Sequence, residues 1–94
     1  MKLLWTPGAV RDLARLRRFL QPKSPGAAAR AAARIRQAAA ALREQPELGR
    51  PVEGAPEVRD LVAPFGAGAF VLRYRVYRDA VVVARVWHGR EDQS

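Results

Sequence analysis

The hydrophobic period of the chain changes once, and this change limits the folds open to it. Between positions 7 and 45 the apolar residues recur at steps of three and four, the period of an amphipathic helix. From position 57 to 88 they alternate with polar residues, the period of a strand. Residues 48–56 are rich in Gly and Pro and predict a connector between the two regions. In 94 residues this order leaves room for one small core, so we expect a single domain spanning residues 1–94.

Two helices are predicted in the first half. Thr6-Pro7 and Ser24-Pro25 each place an N-cap acceptor before a proline at the first helical position, where the missing N–H costs nothing. The helices are expected to end at about Gln21 and Gln45. In the first helix the inward residues are predicted to be Val10, Leu13, Leu16 or Arg17, and Leu20, with Arg11, Arg15 and Arg18 on the outer side. In the second helix they are predicted to be Ala28, Ala31 or Ala32, Ile35, Ala38 or Ala39, and Leu42. The short loop between them indicates an antiparallel hairpin.

Four strands are predicted, one before the helices and three after them. Residues 1–5 form the first, and residues 57–63, 69–77 and 81–88 form the others, where Val, Tyr, Phe and Trp are concentrated. The order is therefore β-α-α-β-β-β. We expect an α+β fold in which the helical hairpin packs on one face of a mainly antiparallel sheet, and the last three strands form a meander.

The turn between the last two strands decides which of their side chains reach the core. Phe70, Leu72, Tyr74 and Val76 share one face and are expected to meet the helices. A two-residue turn would bury Arg85, which is unfavourable for an unpaired charge. We therefore predict a three-residue turn at residues 78–80, which pairs Tyr77 with Val81. This turn places Val82, Ala84, Val86 and His88 on the core face and Val81, Val83, Arg85 and Trp87 on the outer face.

The outer face of the sheet is then predicted to combine arginines with aromatic residues, namely Arg73, Arg75, Arg85, Tyr77 and Trp87. Arg, Tyr and Trp are enriched at the energetic centres of protein interfaces. The same residue types stack bases and hold phosphates, and exposed strand arginines also cover apolar neighbours. The sequence leaves these three interpretations open.

Positive charge is concentrated in the helical half. The chain has 17 Lys and Arg against 9 Asp and Glu, a formal net charge of +8, and residues 13–43 contain eight cations and no acid. A surface of one sign raises the encounter rate with an acidic partner or nucleic acid, although a merely solvated face fits the pattern equally well. Arg30 and Arg34 are expected to face outward together, where they either meet acidic partner residues or keep an alanine-rich helix soluble.

The composition excludes several kinds of site. Cysteine is absent, which rules out disulfides, thiol nucleophiles and thiolate zinc sites, and the one histidine, His88, cannot build an imidazole metal cluster. We expect no cofactor. Glu57 and Asp60 are interpreted as exposed ion-pair partners beside Arg59 rather than as a catalytic pair. With no apolar run long enough to cross a bilayer and no signal peptide, we expect a cytoplasmic protein.

Five segments resemble the RelE/ParE toxin superfamily in their order and spacing, and together they cover nearly the whole chain. They are Trp5-Thr6-Pro7 with Ala9 and Asp12-Leu13, Gly49-Arg50-Pro51-Val52, Val58-Arg59-Asp60-Leu61-Val62, Val71-Leu72-Arg73-Tyr74-Arg75-Val76, and Val86-Trp87-His88-Gly89-Arg90-Glu91-Asp92. The resemblance implies the toxin of a bacterial type II toxin–antitoxin pair. It also implies a ParD-like antitoxin whose C-terminal segment wraps and neutralises the toxin, burying two partly uncovered hydrophobic elements.

The resemblance implies two possible targets, because RelE toxins cleave mRNA in the ribosome whereas ParE toxins inhibit DNA gyrase. RelE nucleases use Arg and Lys to stabilise charge and a C-terminal Tyr or His for proton transfer. Here Val71 stands where they usually have an Arg, and the C-terminal Tyr is missing. His88 is the remaining candidate for proton transfer, but the predicted pairing turns it toward the core or the sheet end, hydrogen-bonded to Glu91 or Asp92.

We therefore expect a ParE-like toxin that binds gyrase without being an enzyme. The residues expected to contact partners are Arg30, Arg34, Arg73, Arg75, Tyr77, Arg85, Trp87 and Arg90. The alternative is a RelE-like, ribosome-dependent mRNA endoribonuclease using His88, Arg90, Arg73 and Arg85. A third possibility is a degraded toxin that survives only as an antitoxin-binding module.

Overall fold

The computed structural model describes residues 1–91, which form a five-stranded sheet and two helices. The elements are β1 (Lys2–Trp5), α1 (Pro7–Leu20), α2 (Pro25–Glu44), β2 (Arg50–Val52), β3 (Ala55–Phe65), β4 (Gly68–Val76) and β5 (Ala80–His88). The strands lie in the order β1-β5-β4-β3-β2, with β1 parallel to β5 and every other pair antiparallel. The predicted α+β fold, a helical hairpin followed by a meander in a mainly antiparallel sheet, is confirmed.

Both helices begin where the sequence predicts. The hydroxyl of Thr6 accepts a hydrogen bond from the Ala9 N–H at 3.0 Å, and that of Ser24 accepts one from the Ala27 N–H at 3.2 Å. These side chains satisfy backbone donors that have no partner inside the helix. Each helix ends one residue before the predicted position.

The core lies between the hairpin and the inner face of the sheet. The predicted inward residues of α2 are buried, as are Phe70, Leu72 and Tyr74 of β4; Val76, at the sheet end, is 39% exposed. Leu16 is buried and Leu13 and Leu20 pack against the core as predicted, so the inner face of α1 is only slightly rotated from the predicted one. Its buried residues are Ala9, Asp12 and Leu16, whereas Val10 is 53% exposed. This rotation follows from the position of α1, which packs mainly against β5 and turns Asp12 toward that strand.

The predicted connector contains a short strand, β2, which the sequence pattern did not indicate. Gly49 explains why pairing starts there: its N–H donates to the Tyr74 hydroxyl at 2.8 Å. A Cβ at this position would lie 2.7 Å from that oxygen, so only glycine allows the approach. The next residue, Arg50, then pairs with Asp60 of β3. Pro51 is tolerated because β2 is an edge strand.

The turn between β4 and β5 differs from the predicted one. The Tyr77 N–H donates to the Ala80 carbonyl at 2.8 Å, and Val76 pairs with Val81, so the turn has two residues rather than three. As a result, Val81 and Val83 face the core instead of Val82 and Ala84.

A β-bulge at Ala84 restores the predicted faces in the second half of β5. Tyr74 pairs with Val83 and Arg73 with Arg85, which makes Ala84 an extra residue on one strand. Beyond the bulge Val86 is buried and Arg85 is exposed. The two-residue turn therefore does not bury the arginine, because the bulge changes the phase of the strand before it is reached.

Candidate functional site

The arginines predicted for the outer face of the sheet are held by carboxylates of the same chain. Arg73 makes two hydrogen bonds to Asp60, at 2.8 and 2.9 Å, which raise its pKa, and its guanidinium lies 5.1 Å from the centre of the Trp87 ring. Arg75 lies 3.6 Å from Glu57. The two acids are thus ion-pair partners as predicted, but they pair with arginines of β4 rather than with Arg59.

Arg85 reaches across the edge of β5 to Asp12 of α1. Its Nε and Nη2 atoms donate to the two carboxylate oxygens at 2.8 and 3.2 Å. The Asp12 carboxylate also accepts from the Val86 N–H at 2.8 Å and from the Arg15 guanidinium. Burial alone would raise the pKa of Asp12, but these hydrogen bonds outweigh it and lower the pKa below its ordinary value. Asp12 is only 3% exposed and is ionised in this setting.

β1 pairs with β5 only as far as Val83. Beyond that residue, side chains rather than a neighbouring strand form hydrogen bonds with the backbone of β5. The Thr6 hydroxyl donates to the Ala84 carbonyl at 2.8 Å, and Asp12 accepts from the Val86 N–H. Two further contacts complete this series: Arg15 Nη2 donates to the Val86 carbonyl at 3.2 Å, and Glu91 accepts from the His88 N–H at 2.7 Å. This sealed edge explains why a polar residue, Asp12, occupies the inner face of α1.

The same contacts hold the turn that follows β5. Arg15 donates to both oxygens of Glu91, at 3.0 and 3.1 Å. Burial would raise the pKa of Glu91, but the bonds from Arg15 and from the His88 N–H lower it. Arg15, predicted to lie on the outer side of α1, instead links Asp12 to this turn.

His88 and Arg90 line a cleft of about 250 Å³ between the end of α1 and the end of β5. The His88 ring packs edge-on against Phe70, with centroids 5.4 Å apart, and its Nδ1 accepts from the Arg90 N–H at 3.1 Å. The ring therefore does not bond Glu91 as predicted; the His88 backbone does. Asp92, the other predicted partner, lies outside the described residues. Lys23 also lines the cleft, with its ammonium 3.8 Å from the centre of the Phe19 ring.

The four nuclease candidates are divided between two places. His88 and Arg90 line the cleft, while Arg73 and Arg85 are bound to Asp60 and Asp12 elsewhere. The predicted pairing already placed His88 on the core side and the two arginines on the outer face. It did not indicate the carboxylates that hold the arginines, which are distant in the chain or were assigned to another partner.

A groove of about 510 Å³ runs between the two helices and was missed at the level of sequence. Its floor is formed by Leu13, Leu16, Leu20, Ala28, Ala31 and Ile35, and its rim includes Arg17, Arg18 and Arg36. The one sequence signal for it is the alanine stripe of α2, whose methyl groups leave the space between the helices unfilled.

The remaining candidates are dispersed. Arg30 is exposed on α2, whereas Arg34 is half-buried and donates to the Pro64 carbonyl at 2.9 Å, which ties α2 to β3. Tyr77 is 51% exposed beside the β4–β5 turn. Neither helix within residues 1–91 has the length and apolar character needed to span a membrane.

Sequence and structure comparisons agree on one group of relatives. Residues 3–93 match the ParE toxin family of type II toxin–antitoxin systems, parDE. The chain is 46% identical over 85 residues to Toxin RelE3 of Caulobacter vibrioides, covering 90% of each chain, and 41% identical to Toxin RelE1 of the same organism, covering 90% and 89%. A chain of the chromosomal ParDE system from P. aeruginosa superposes with a TM-score of 0.76 at 25% identity, covering 94% of this chain and 95% of that one.

Proposed function

The chain belongs to the ParE toxin family of type II toxin–antitoxin systems, and from that membership we propose that it is a cytoplasmic toxin that binds and inhibits DNA gyrase. A ParD-like antitoxin neutralises it. Because the family comprises toxin–antitoxin pairs, an antitoxin is the partner expected first; the identity of the target is the part of the proposal that needs an argument from residues.

The observation that carries the gyrase target is the internal pairing of the sheet arginines. A nuclease needs cations free to stabilise a phosphate in the transition state, and Arg73 and Arg85 are each engaged by a carboxylate. They also lie apart from His88, the candidate for proton transfer. The arrangement supports a docking protein rather than an enzyme that cleaves phosphodiesters.

The outer face of the sheet is the surface that we assign to gyrase. Val62, Val71 and Trp87 stand side by side on three adjacent strands, and Val62 is 59% exposed. The neighbouring arginines Arg73 and Arg75 are matched by carboxylates. An apolar row beside neutralised charges fits a protein surface better than a nucleic acid, whose binding depends on unmatched cations.

A supercoiling assay with purified gyrase tests the proposal. The toxin should inhibit supercoiling at micromolar concentration, and Val62→Asp should weaken inhibition at least tenfold by placing a charge in the apolar row. Val10→Asp is the matched control, because Val10 is similarly exposed, at 53%, but lies on α1. Normal supercoiling at that concentration, together with cleavage of ribosome-bound mRNA, would reject the gyrase target.

A ribosome-dependent endoribonuclease is the second candidate, favoured by the cleft that contains Lys23, His88 and Arg90 and by the names of the Caulobacter relatives. In that case His88→Ala or Arg90→Ala should abolish mRNA cleavage in a translation extract while the protein stays folded. Translation that continues undisturbed in the presence of the wild-type toxin would remove this candidate.

The antitoxin is assigned to the groove between the helices. The groove offers an apolar floor between α1 and α2, and its rim carries Arg17, Arg18 and Arg36. An amphipathic helix with an apolar face and acidic flanks complements both features. Arg30, exposed on the same helix as Arg36, extends the basic surface beyond the rim.

A further inference from the structure

The groove between α1 and α2 has the dimensions and the lining of a small-molecule site. Its volume is about 510 Å³, and such sites typically measure about 300–1,000 Å³ and are mostly apolar, with a few polar groups that orient the ligand. Leu13, Leu20 and Ala32 line the groove and are only half-buried, so part of its apolar surface is in contact with solvent. A ligand that covered this surface would gain from its removal from water.

The groove is open because α2 carries alanines opposite the leucines of α1. Its apolar lining consists of Leu13, Leu16 and Leu20 on one side and Ala28, Ala31 and Ala32 with Ile35 on the other. Alanine has no atom beyond Cβ, so the leucines lack the contacts that larger side chains would give them across the groove. A flexible alkyl chain in the groove would supply those contacts.

The charged groups of the groove come from both helices. Arg17 of α1 and Arg36 of α2 line the groove and also an adjoining hollow of about 320 Å³, so they lie where the two cavities meet. Neither arginine has a carboxylate within ion-pair distance in the part of the chain that the structure describes. A carboxylate at this junction would accept charge-assisted hydrogen bonds from guanidinium groups that otherwise only repel each other.

We propose that the groove binds a free aliphatic carboxylate of medium chain length, with the alkyl chain on the apolar floor and the carboxylate at Arg17 and Arg36. The antitoxin helix is assigned to the same groove, so the bound carboxylate competes with the antitoxin and favours release of the toxin. This competition rests on the proposed function. Binding of the carboxylate to the toxin alone does not.

A free carboxylate fits the groove better than the surface of a bilayer does. Helices that lie in a membrane interface insert a protruding apolar face into the lipid. Here the leucines form the floor of a groove whose rim carries Arg17, Arg18 and Arg36. A single alkyl chain can reach that floor, whereas a flat bilayer cannot.

Calorimetric titration of the toxin with dodecanoate, below the concentration at which it forms micelles, tests the binding. Decanoate and octanoate should each bind about tenfold more weakly than the acid two methylenes longer, because less apolar surface is buried. Dodecyltrimethylammonium has the same chain with the opposite charge and should bind at least tenfold more weakly than dodecanoate. At ten times its Kd, dodecanoate should raise the Tm by roughly 5–10 °C, whereas a chain that adsorbs to unfolded protein lowers it.

Two pairs of variants locate the ligand. Arg36→Gln should weaken dodecanoate binding at least fivefold by removing one of the two guanidinium groups, while Arg11→Gln makes the same charge change at an exposed position of α1 outside the groove and should bind as wild type. Ala32→Phe fills the groove and should weaken binding at least tenfold, and Ala33→Phe is its exposed control. Thermal unfolding without ligand establishes that each variant is folded.

The outcomes separate this inference from the function beside it. No binding of dodecanoate, or equal binding by wild type and Ala32→Phe, overturns the inference and leaves the toxin–antitoxin proposal standing. Binding to phosphatidylglycerol vesicles without binding of free dodecanoate also overturns it, because the partner is then a bilayer.

A competition experiment with the antitoxin of the toxin's own operon tests the regulatory part. Dodecanoate at ten times its Kd should weaken antitoxin binding about tenfold. An unchanged antitoxin affinity would reject the competition while the toxin–antitoxin proposal stands. If the antitoxin does not bind the toxin even without dodecanoate, the proposed neutralisation and the competition both fail, and the titration of the toxin alone still decides whether the groove binds the carboxylate.

Discussion

Asp12 is the residue on which the sealed edge of β5 depends. Its carboxylate bonds Arg85, Arg15 and the Val86 N–H, and Arg15 continues the chain of contacts to Glu91. Removing one partner from a buried ionic group is far more destabilising than the net strength of the pair, because the remaining groups lose their partner without regaining water. Asp12 is therefore a stability residue within a segment that also marks the family resemblance.

We predict that Asp12→Asn lowers the free energy of unfolding by about 2 kcal/mol at neutral pH. The value is moderate because the Arg15 and Arg85 side chains are partly exposed and can turn to water. Urea denaturation measures the change. Glu57→Gln, which breaks an exposed ion pair with Arg75, should cost less than about 0.5 kcal/mol. Equal losses in the two variants would contradict the role given to Asp12.

Acid should destabilise the protein through the same groups. The pKa values of Asp12 and Glu91 are lowered in the folded state, so their stabilising effect is complete above the ordinary carboxyl pKa of about 4 and is lost as the pH falls through the lower, folded values. Urea denaturation between pH 7 and pH 2.5 should show this decline. Asp12→Asn should show a shallower decline over the same range, since one of the two titrating groups is gone.

Tyr74 is the second residue with a specific structural role. It is fully buried, its hydroxyl donates to the Pro46 carbonyl at 2.7 Å and accepts from the Gly49 N–H at 2.8 Å, and burial raises its pKa. We predict that Tyr74→Phe destabilises the fold by about 2 kcal/mol, because both backbone groups lose their partner. The exposed Tyr77→Phe should change the unfolding free energy by only a few tenths of a kcal/mol. Thermal or urea unfolding distinguishes the two.

At the level of elements, local chemistry predicted the helices well and the strand pairing only in part. The caps Thr6 and Ser24 determine where the helices start, and both signals are contained in a few neighbouring residues. The strand β2 depends on Gly49 meeting Tyr74, residues far apart in the chain, so composition alone indicated a connector. The prediction of the β4–β5 turn was wrong because it assumed that β5 has no bulge, in which case a two-residue turn would bury Arg85.

The groove between α1 and α2 is expected to tolerate small residues only. We predict that Ala32→Phe fills the groove and lowers antitoxin affinity at least tenfold, since Ala32 lines it. Ala33→Phe is the matched control, because Ala33 is an exposed neighbour of the same helix outside the lining. Isothermal titration calorimetry with the antitoxin measures both. An unchanged affinity of Ala32→Phe would place the antitoxin elsewhere.

On the scale of the whole molecule, the helical layer carries unpaired positive charge, whereas the arginines of the sheet layer are paired with carboxylates. The cations around the helical groove, Arg17, Arg18 and Arg36, have no carboxylate within ion-pair distance among residues 1–91, whereas Arg73, Arg75 and Arg85 of the sheet are each paired. The sequence predicted the basic helical half from its lack of acids. It could not predict which sheet arginines are paired, because the acids that bind them come from two separate elements, β3 and the distant α1.

This segregation predicts different salt responses for the two proposed partners, the antitoxin and gyrase. The association rate of the antitoxin should fall about tenfold between roughly 20 mM and 300 mM salt, because steering by unmatched charge is screened. Gyrase inhibition should change much less over the same range. Stopped-flow fluorescence and supercoiling assays measure the two responses; a steep salt dependence of gyrase inhibition would contradict a neutral docking face.

The sequence predicted which residues belong to the candidate site better than it predicted how they contact one another. The aromatic and basic residues of the sheet were identified from their alternation, but which of them were free to act depended on contacts such as Arg85 with Asp12, which join positions 73 residues apart. His88 was correctly placed on the inner side, yet the acceptor role of its ring toward Arg90 requires the geometry of the turn.

The extra residue at Ala84 has a consequence for how relatives of this chain can diverge. Val83 and Arg85 already face the neighbours that an uninterrupted ladder would give them, so deleting Ala84 leaves each inward and outward assignment of the strand unchanged. The deletion removes only the carbonyl that Thr6 binds. A relative whose β5 lacks this one residue can therefore keep the same core. An alignment without a gap at Ala84 would pair half of its strand with the wrong residues of β5.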